Sequence, residues 1–134
     1  GSILLAEPNP TENLMKHIVA IVEAHLSDSR FSVGRLCREA GMSHPQLHRR
    51  LKKAIGLSAV QLIRAVRIHH GKRSLRQTHL PISSIAYDVG FSDPDYFSKV
   101  FRKEVGCTPS QYRNGAMPAG DATDEKRFLK ENSR

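Results

Sequence analysis

The 134-residue chain has no tryptophan, only two cysteines, and no apolar run longer than a few residues. Without a long run there is neither a membrane span nor the apolar stretch of a secretory leader. Cys37 and Cys107 lie far apart with no Cys-x-x-Cys spacing, which excludes a disulfide framework and a four-cysteine zinc site and suits a reducing compartment. A chain of this length builds one modest core and is too short for a large multi-domain enzyme. Acid is the last scarcity. From Ala40 to Tyr87 there is no Asp or Glu at all, while Arg49, Arg50, Lys52, Lys53, Arg64, Arg67, Lys72, Arg73 and Arg76 all fall there.

The formal net charge is +8, and its distribution says more than its sum. Residues 1–29 hold Lys16 against Glu7, Glu12, Glu23 and Asp28, and residues 114–134 balance four bases with four acids. Residues 30–113 hold 16 of the 21 bases but only 5 of the 13 acids, a net +11. Such a field draws in a phosphate backbone by releasing its counterions. A basic solvated surface without such a partner is the lesser alternative on charge alone.

The apolar period is helical throughout, and no stretch alternates strictly as a strand would. Leu14, Ile18, Ile21, Val22 and Leu26 form a first stripe, ended by Ser27-Asp28-Ser29. Val33, Leu36, Cys37 and Ala40 form a short second one, with Ser32 as N-cap and Gly41 just past its end. Leu47, Leu51 and Ile55 mark a third helix, opening near Ser43-His44-Pro45 and closing at Gly56, apolar on one side and cationic on the other. From Ser58 to about Thr78 no proline intervenes, so one helix of about twenty residues and about 30 Å is expected. The fold class is all-α. Residues 1–11 are expected to be a linker, with Gly1-Ser2 resembling an expression scar on a fragment of a longer protein, and residues 114–134 a flexible tail. The folded domain is then about 12–113.

An internal repeat organises that domain. Residues 32–45, SVGRLCREAGMSHP, match residues 81–94, PISSIAYDVGFSDP, at an offset of 49, pairing Leu36 with Ile85, Gly41 with Gly90, Met42 with Phe91 and Pro45 with Pro94. After one inserted residue the match resumes at an offset of 50, pairing Leu47 with Phe97, Arg49 with Lys99, Leu51 with Phe101 and Gly56 with Gly106. Each copy is a short helix, a glycine turn and a second helix, which is a helix-turn-helix unit; the copies span about 32–56 and 81–106. The glycine supplies the positive φ that lets the second helix leave steeply. A duplicated helical bundle without a nucleic-acid role is the alternative.

In the second copy, IxxIAxxVGFSDPDYFSKVFRKxxGCTPSQYR from Ile82 to Arg113 resembles the C-terminal DNA-binding domain of AraC/XylS-type transcription regulators, and the match reaches back to about Leu14. HLSDSRFSVGRLCREAGMSHPQLHRRL is also similar to versions of this domain fused to hybrid two-component proteins. The resemblance implies seven helices, two helix-turn-helix units on one connecting helix and no enzymatic activity. It further implies sequence-specific binding of double-stranded DNA for transcription regulation, by activation or by repression, in the bacterial cytoplasm and on the nucleoid when bound. RNA polymerase is an expected partner, an N-terminal sensing or receiver domain is expected in the full-length protein, and no cofactor and no membrane contact are expected. Two departures from the family pattern, Gly71 where alanine is usual and Ser74 where an apolar residue is usual, predict a more loosely packed connecting helix.

The outer face of the first recognition helix offers His44, Pro45, Gln46, His48, Arg49, Lys52 and Lys53. Residues 45, 48, 49 and 52 share one side. Arg49 suits a bidentate contact with guanine, and Gln46 or His48 could reach other base edges or phosphate. Asp95, Tyr96, Ser98, Lys99, Arg102 and Lys103 hold the matching places in the second; Lys99 is a less geometrically specific donor than Arg49. Asp93 and Asp95 are read as helix caps rather than cytosine readers. Ser43, Ser92 and Thr108, at helix starts, are candidates for phosphate contact. Leu47, Leu51, Phe97 and Phe101 are core. His44 and His48 have the i, i+4 spacing of metal ligands but no third ligand nearby, so no metal site is expected. No triad, phosphate-cradling glycine loop or carboxylate pair supports catalysis. An RNA-binding module would need an aromatic stacking platform that the sequence does not offer. A protein-contacting helical module remains compatible with DNA binding.

Overall fold

A computed structural model describes residues 9–116. Most of the expected linker and tail lies outside them. The described residues form seven helices and no strand: α1 (Pro10–Ala24), α2 (Val33–Ala40), α3 (His44–Ile55), α4 (Ala59–Gln77), α5 (Ile82–Asp88), α6 (Pro94–Val105) and α7 (Pro109–Arg113). Local chemistry sets their ends. Asn9 caps α1, accepting from the Glu12 N–H at 2.8 Å with Pro10 in the first turn, so the helix opens inside the expected linker. Ser32, Ser43, Ser58 and Thr108 cap α2, α3, α4 and α7, and the last three complete capping boxes with Gln46, Gln61 and Gln111. Gly41, Gly56 and Gly106 close α2, α3 and α6 in the left-handed region.

Two cores share one helix. The first joins α1, α2, α3 and the opening half of α4, with Ile18, Leu36, Leu47, Leu51 and Leu62 fully buried. The second joins the closing half of α4 to α5, α6 and α7, with Leu75, Ile85, Phe97 and Phe101 fully buried. The helix touches α1, α3, α5 and α7 and buries different faces at its two ends. Arg113 ties its C-terminus down, donating from Nε to the Leu75 carbonyl at 3.1 Å and from Nη2 to the Thr78 carbonyl at 3.3 Å. Arg76 lies over the Tyr112 ring at 4.2 Å. These arginines, counted in the sequence as part of a cationic field, also hold α7 against α4.

Gly71 corrects the expectation of looseness. A Cβ there would stand 3.2 Å from both Cε1 and Cζ of Phe97, so the buried ring lies directly on the backbone of α4. The missing methyl leaves the contact surface for a fully buried ring of the second core.

A clasp joins the two units. Leu26, in the turn after α1, packs against both cores. Its carbonyl lies only 2.3 Å from where a Cβ of Gly90 would stand, and Arg67 Nε 2.6 Å from that point. Arg67 Nη2 in turn donates to the Asp28 carbonyl at 3.0 Å. Burial pulls the Arg67 guanidinium below its ordinary value, against the attraction of Asp28. The repeat partners Gly41 and Gly90 therefore do different work. Gly41 (φ +70°) has open space about its Cα, whereas Gly90 (φ +100°) makes room for another part of the chain.

Where α1 meets α4, His70 Nε2 lies 2.7 Å from a Glu23 carboxylate oxygen. The adjacent His69 has a buried Nε2 with no hydrogen-bond partner. Burial, reinforced by His70, Lys72 and Arg73 and opposed by Glu23, pulls its pKa down to about 4.

Gly90→Ala is expected to cost about 3 kcal/mol or more, from the φ penalty plus the steric conflict, and Gly41→Ala only about 1 kcal/mol; paired denaturant titrations check this, and equal losses would refute the clasp. Because the folded pKa of His69 lies below the unfolded value of about 6.5, only the unfolded chain binds that proton between pH 6.5 and 4, so stability falls as pH falls through this window. His69→Leu should flatten that part of the urea-midpoint profile, and an unaltered slope would contradict the assignment.

Candidate nucleic-acid interface

α3 is divided cleanly between core and solvent. Leu47 and Leu51 are buried, while His44, Pro45, Gln46, His48, Arg49, Arg50, Lys52 and Lys53 are all exposed. No acid lies on the helix, and its four bases, Arg49, Arg50, Lys52 and Lys53, are exposed along its second half. The capping box commits some of the atoms proposed for recognition. The Ser43 N–H donates to Gln46 Oε1 at 3.0 Å, and the Gln46 N–H donates to Ser43 Oγ at 3.3 Å. Gln46 therefore keeps its amide NH2 for a partner while its acceptor is engaged at the helix start.

α6 repeats this division with altered chemistry. Phe97 and Phe101 are buried, Asp95, Tyr96, Lys99, Arg102 and Lys103 are exposed, and Ser98 is half-buried. Asp93 is the N-cap, its Oδ1 accepting from the Asp95 N–H at 2.9 Å, as the Asp-Pro spacing predicts. Asp95 itself lies in the first turn, where a carboxylate favours the helix dipole. Ser92 is exposed and precedes the cap. Thr108 lies beyond α6, caps α7, and gives its N–H to Gln111 Oε1 at 2.9 Å. Two carboxylates at the start of α6 and none at the start of α3 make the first unit the more strongly cationic of the two.

Between the units lies a cleft of about 470 Å³. Ser29, Phe31, Ser32 and Val33 of the first unit form one wall, Gly90, Phe91, Ser92 and Tyr96 of the second the other, and Val60, Ile63, Arg64 and Arg67 of α4 the floor. A smaller hollow of about 150 Å³ shares Val33 and Val60 with it and is lined also by His44, Leu47, His48 and Ser58. His44 and His48 of α3 thus border the smaller hollow and Tyr96 of α6 the cleft, with Val33 and Val60 lining both. No Asp or Glu lines either part.

The cleft is the feature that reading the sequence missed. Arg64 and Arg67 stand out in the chain only as two more bases among many, and they come to line a cleft only once both units pack on α4. Arg64 Nη1 lies 3.5 Å from Glu104 of α6. Other bases have partners within the fold. Arg35 Nε donates to Glu39 at 3.1 Å, and His25 hydrogen-bonds the same carboxyl, which these contacts, the His25 hydrogen bond foremost, hold below the usual carboxylate range. Among the described residues no group of three His, Cys, Asp or Glu could hold a metal ion, and no helix is long and apolar enough to cross a membrane.

A family model described as a helix-turn-helix domain matches residues 36–115. The chain is similar to the HTH-type transcriptional activator RhaR of Escherichia coli strain K12, 36% identical over 107 residues that cover 80% of this chain and 38% of RhaR. It therefore spans well under half of that relative's length. Among solved structures, the C-terminal domain of the two-component response regulator yesN from Fusobacterium nucleatum is 33% identical with a TM-score of 0.68, covering 75% of this chain and 98% of that one. The DNA-binding domain of AdpA, a global transcriptional factor solved in complex with a target DNA, is 28% identical with a TM-score of 0.68, covering 75% and 89%.

Proposed function

The chain belongs to the AraC-type family of helix-turn-helix DNA-binding domains, and from that premise we propose that it reads double-stranded DNA through α3 and α6 placed in successive major grooves. The observation that carries this reading is the matched division of the two helices. Each buries a pair of large apolar side chains and turns a row of bases outward. A 19-residue α4 is about 28 Å long, close to the roughly 34 Å of one duplex turn, so one chain suits an asymmetric site without dimer symmetry.

Within this reading the residues divide by role. Arg49, exposed on a face free of acid, offers guanine the bidentate fork, and Lys99 in the equivalent place of α6 offers a less directional donor. His44, Pro45 and His48, with the free amide of Gln46, border the same base edges, and Asp95, Tyr96 and Ser98 do so in α6. Lys52, Lys53, Arg102 and Lys103, in the last turns, contact phosphates, as do Ser43, Ser92 and Thr108. The chain works as a binding module without catalysis, cofactor or metal, in the bacterial cytoplasm and on the nucleoid. In the whole protein it serves as the output of a sensing or receiver domain, in keeping with the response-regulator origin of yesN. RNA polymerase is the further partner, in keeping with the activator RhaR.

Selection of bound duplexes from a random pool, followed by anisotropy titrations over a salt series, tests this. Arg49→Ala is expected to lose about 1–3 kcal/mol on the selected duplex and to relax its base preference, whereas Lys53→Ala weakens selected and random duplexes alike and lowers the salt slope by about 1. Equal losses for Arg49→Ala on both duplexes would remove its base-reading role.

A further inference from the structure

We propose that the cleft between the two units is a third DNA contact, a seat for the backbone phosphates that cross between the two major grooves, with Arg64 and Arg67 as its cationic floor. The inference rests on the reading of α3 and α6 as recognition helices and adds to it a site on neither. The cleft, with the smaller hollow beside it, is lined by His44 and His48 of α3, by Val60, Arg64 and Arg67 of α4, by Ser92 before α6 and by Tyr96 of α6. A strand leaving one recognition helix for the other has to cross that floor.

The chemistry of the lining suits a phosphodiester. Two guanidinium groups three residues apart on one helix are flanked by the hydroxyls of Ser32 and Ser92, and no carboxylate lines the cleft. Arg64 has about a third of its side chain open to solvent and meets Glu104 through Nη1 alone at 3.5 Å, a loose pair that leaves the rest of the fork for a ligand. Arg67 is fixed by its bond to the Asp28 carbonyl, and its Nε is buried without a partner, so its charge sits in low dielectric beneath the cleft. Val60 and Tyr96, 53% and 52% exposed, are among the few large apolar side chains left open, and both line this cleft, where deoxyribose would cover them. An inorganic phosphate or a phosphate of DNA would satisfy the same groups; the place of the cleft between α3 and α6, with Tyr96 on its wall and His44 and His48 in the adjoining hollow, favours DNA.

The full chain would be titrated by anisotropy with its selected duplex, and with the same duplex carrying neutral methylphosphonates at the phosphates midway between the two major-groove contacts. Arg64→Gln is expected to bind the unmodified duplex about tenfold more weakly, with a salt slope shallower by about 0.9, and to lose nothing further on the methylphosphonate duplex. Glu104→Gln, which frees Arg64, should bind the unmodified duplex more tightly. If thermal unfolding shows Arg64→Gln to be misfolded, Glu104→Gln and the response of the unaltered protein to methylphosphonate decide the matter. Unchanged affinity in both, with Arg49→Ala still impaired, overturns the phosphate seat and leaves the recognition helices standing. No salt-dependent DNA binding by the unaltered chain overturns both. Inorganic phosphate that binds saturably and is lost in Arg64→Gln, yet does not compete with DNA, would assign the cleft to a free anion and overturn the proposal.

Discussion

Everything in this fold depends on one helix belonging to two cores at once. α4 buries Leu62, Ile63 and Val66 in the first unit and Ile68, Gly71 and Leu75 in the second. Two helix-turn-helix units of this size, each with three helices or fewer beyond the shared one, have too little apolar surface to stand far above the entropy of ordering them. Sharing the helix supplies the missing surface and fixes the angle between the units in the same act. The clasp of Leu26, Arg67 and Gly90 then restricts that angle further through backbone contact and a half-buried guanidinium rather than a flexible linker. A rigid pair of recognition helices has less conformational entropy to lose on binding, which is how preorganisation improves affinity.

The repeat shows how one template is adapted to two places. In the first copy the glycine turn is open and the recognition helix starts on a serine–glutamine box, leaving its first turn free of acid. In the second, the glycine meets the first unit and the helix starts on Asp93-Pro94-Asp95, with acid in the first turn. The corner residue grows from a partly buried Met42 to a buried Phe91, and the core pair Leu47 and Leu51 becomes Phe97 and Phe101. The second core is therefore an aromatic cluster, with Phe91, Phe97, Phe101 and Tyr112 in successive edge or tilted contacts. Gly71 belongs to that change, since the larger ring of Phe97 takes the room a Cβ on α4 would fill.

Much of this was legible in the chain because it is local. Ser32, Ser43 and Gly56 mark their helix ends by their own chemistry, and apolar spacing at Leu47 and Leu51 fixes which face of α3 is left for a ligand. α7 was not legible from periodicity, since five residues give no stripe; only the family resemblance implied a seventh helix. The cleft was illegible for a different reason. Ser32, Arg64 and Ser92 come to line one cleft only after two units, repeated at an offset of 49 residues, fold against one helix, and no single-residue pattern encodes that meeting. Gly71 was misjudged for the same reason. Its helix propensity is a local property, and the ring that occupies its face comes from residue 97.

The central claim is that one chain carries two recognition helices at a spacing fixed by α4. A hydroxyl-radical and base-methylation footprint of a single bound chain on its selected duplex tests it most directly. Two protected major-groove segments on one face of the duplex, about ten base pairs apart centre to centre, are predicted at a stoichiometry of one chain per duplex. A single protected segment, or two segments only when two chains are bound, would contradict it.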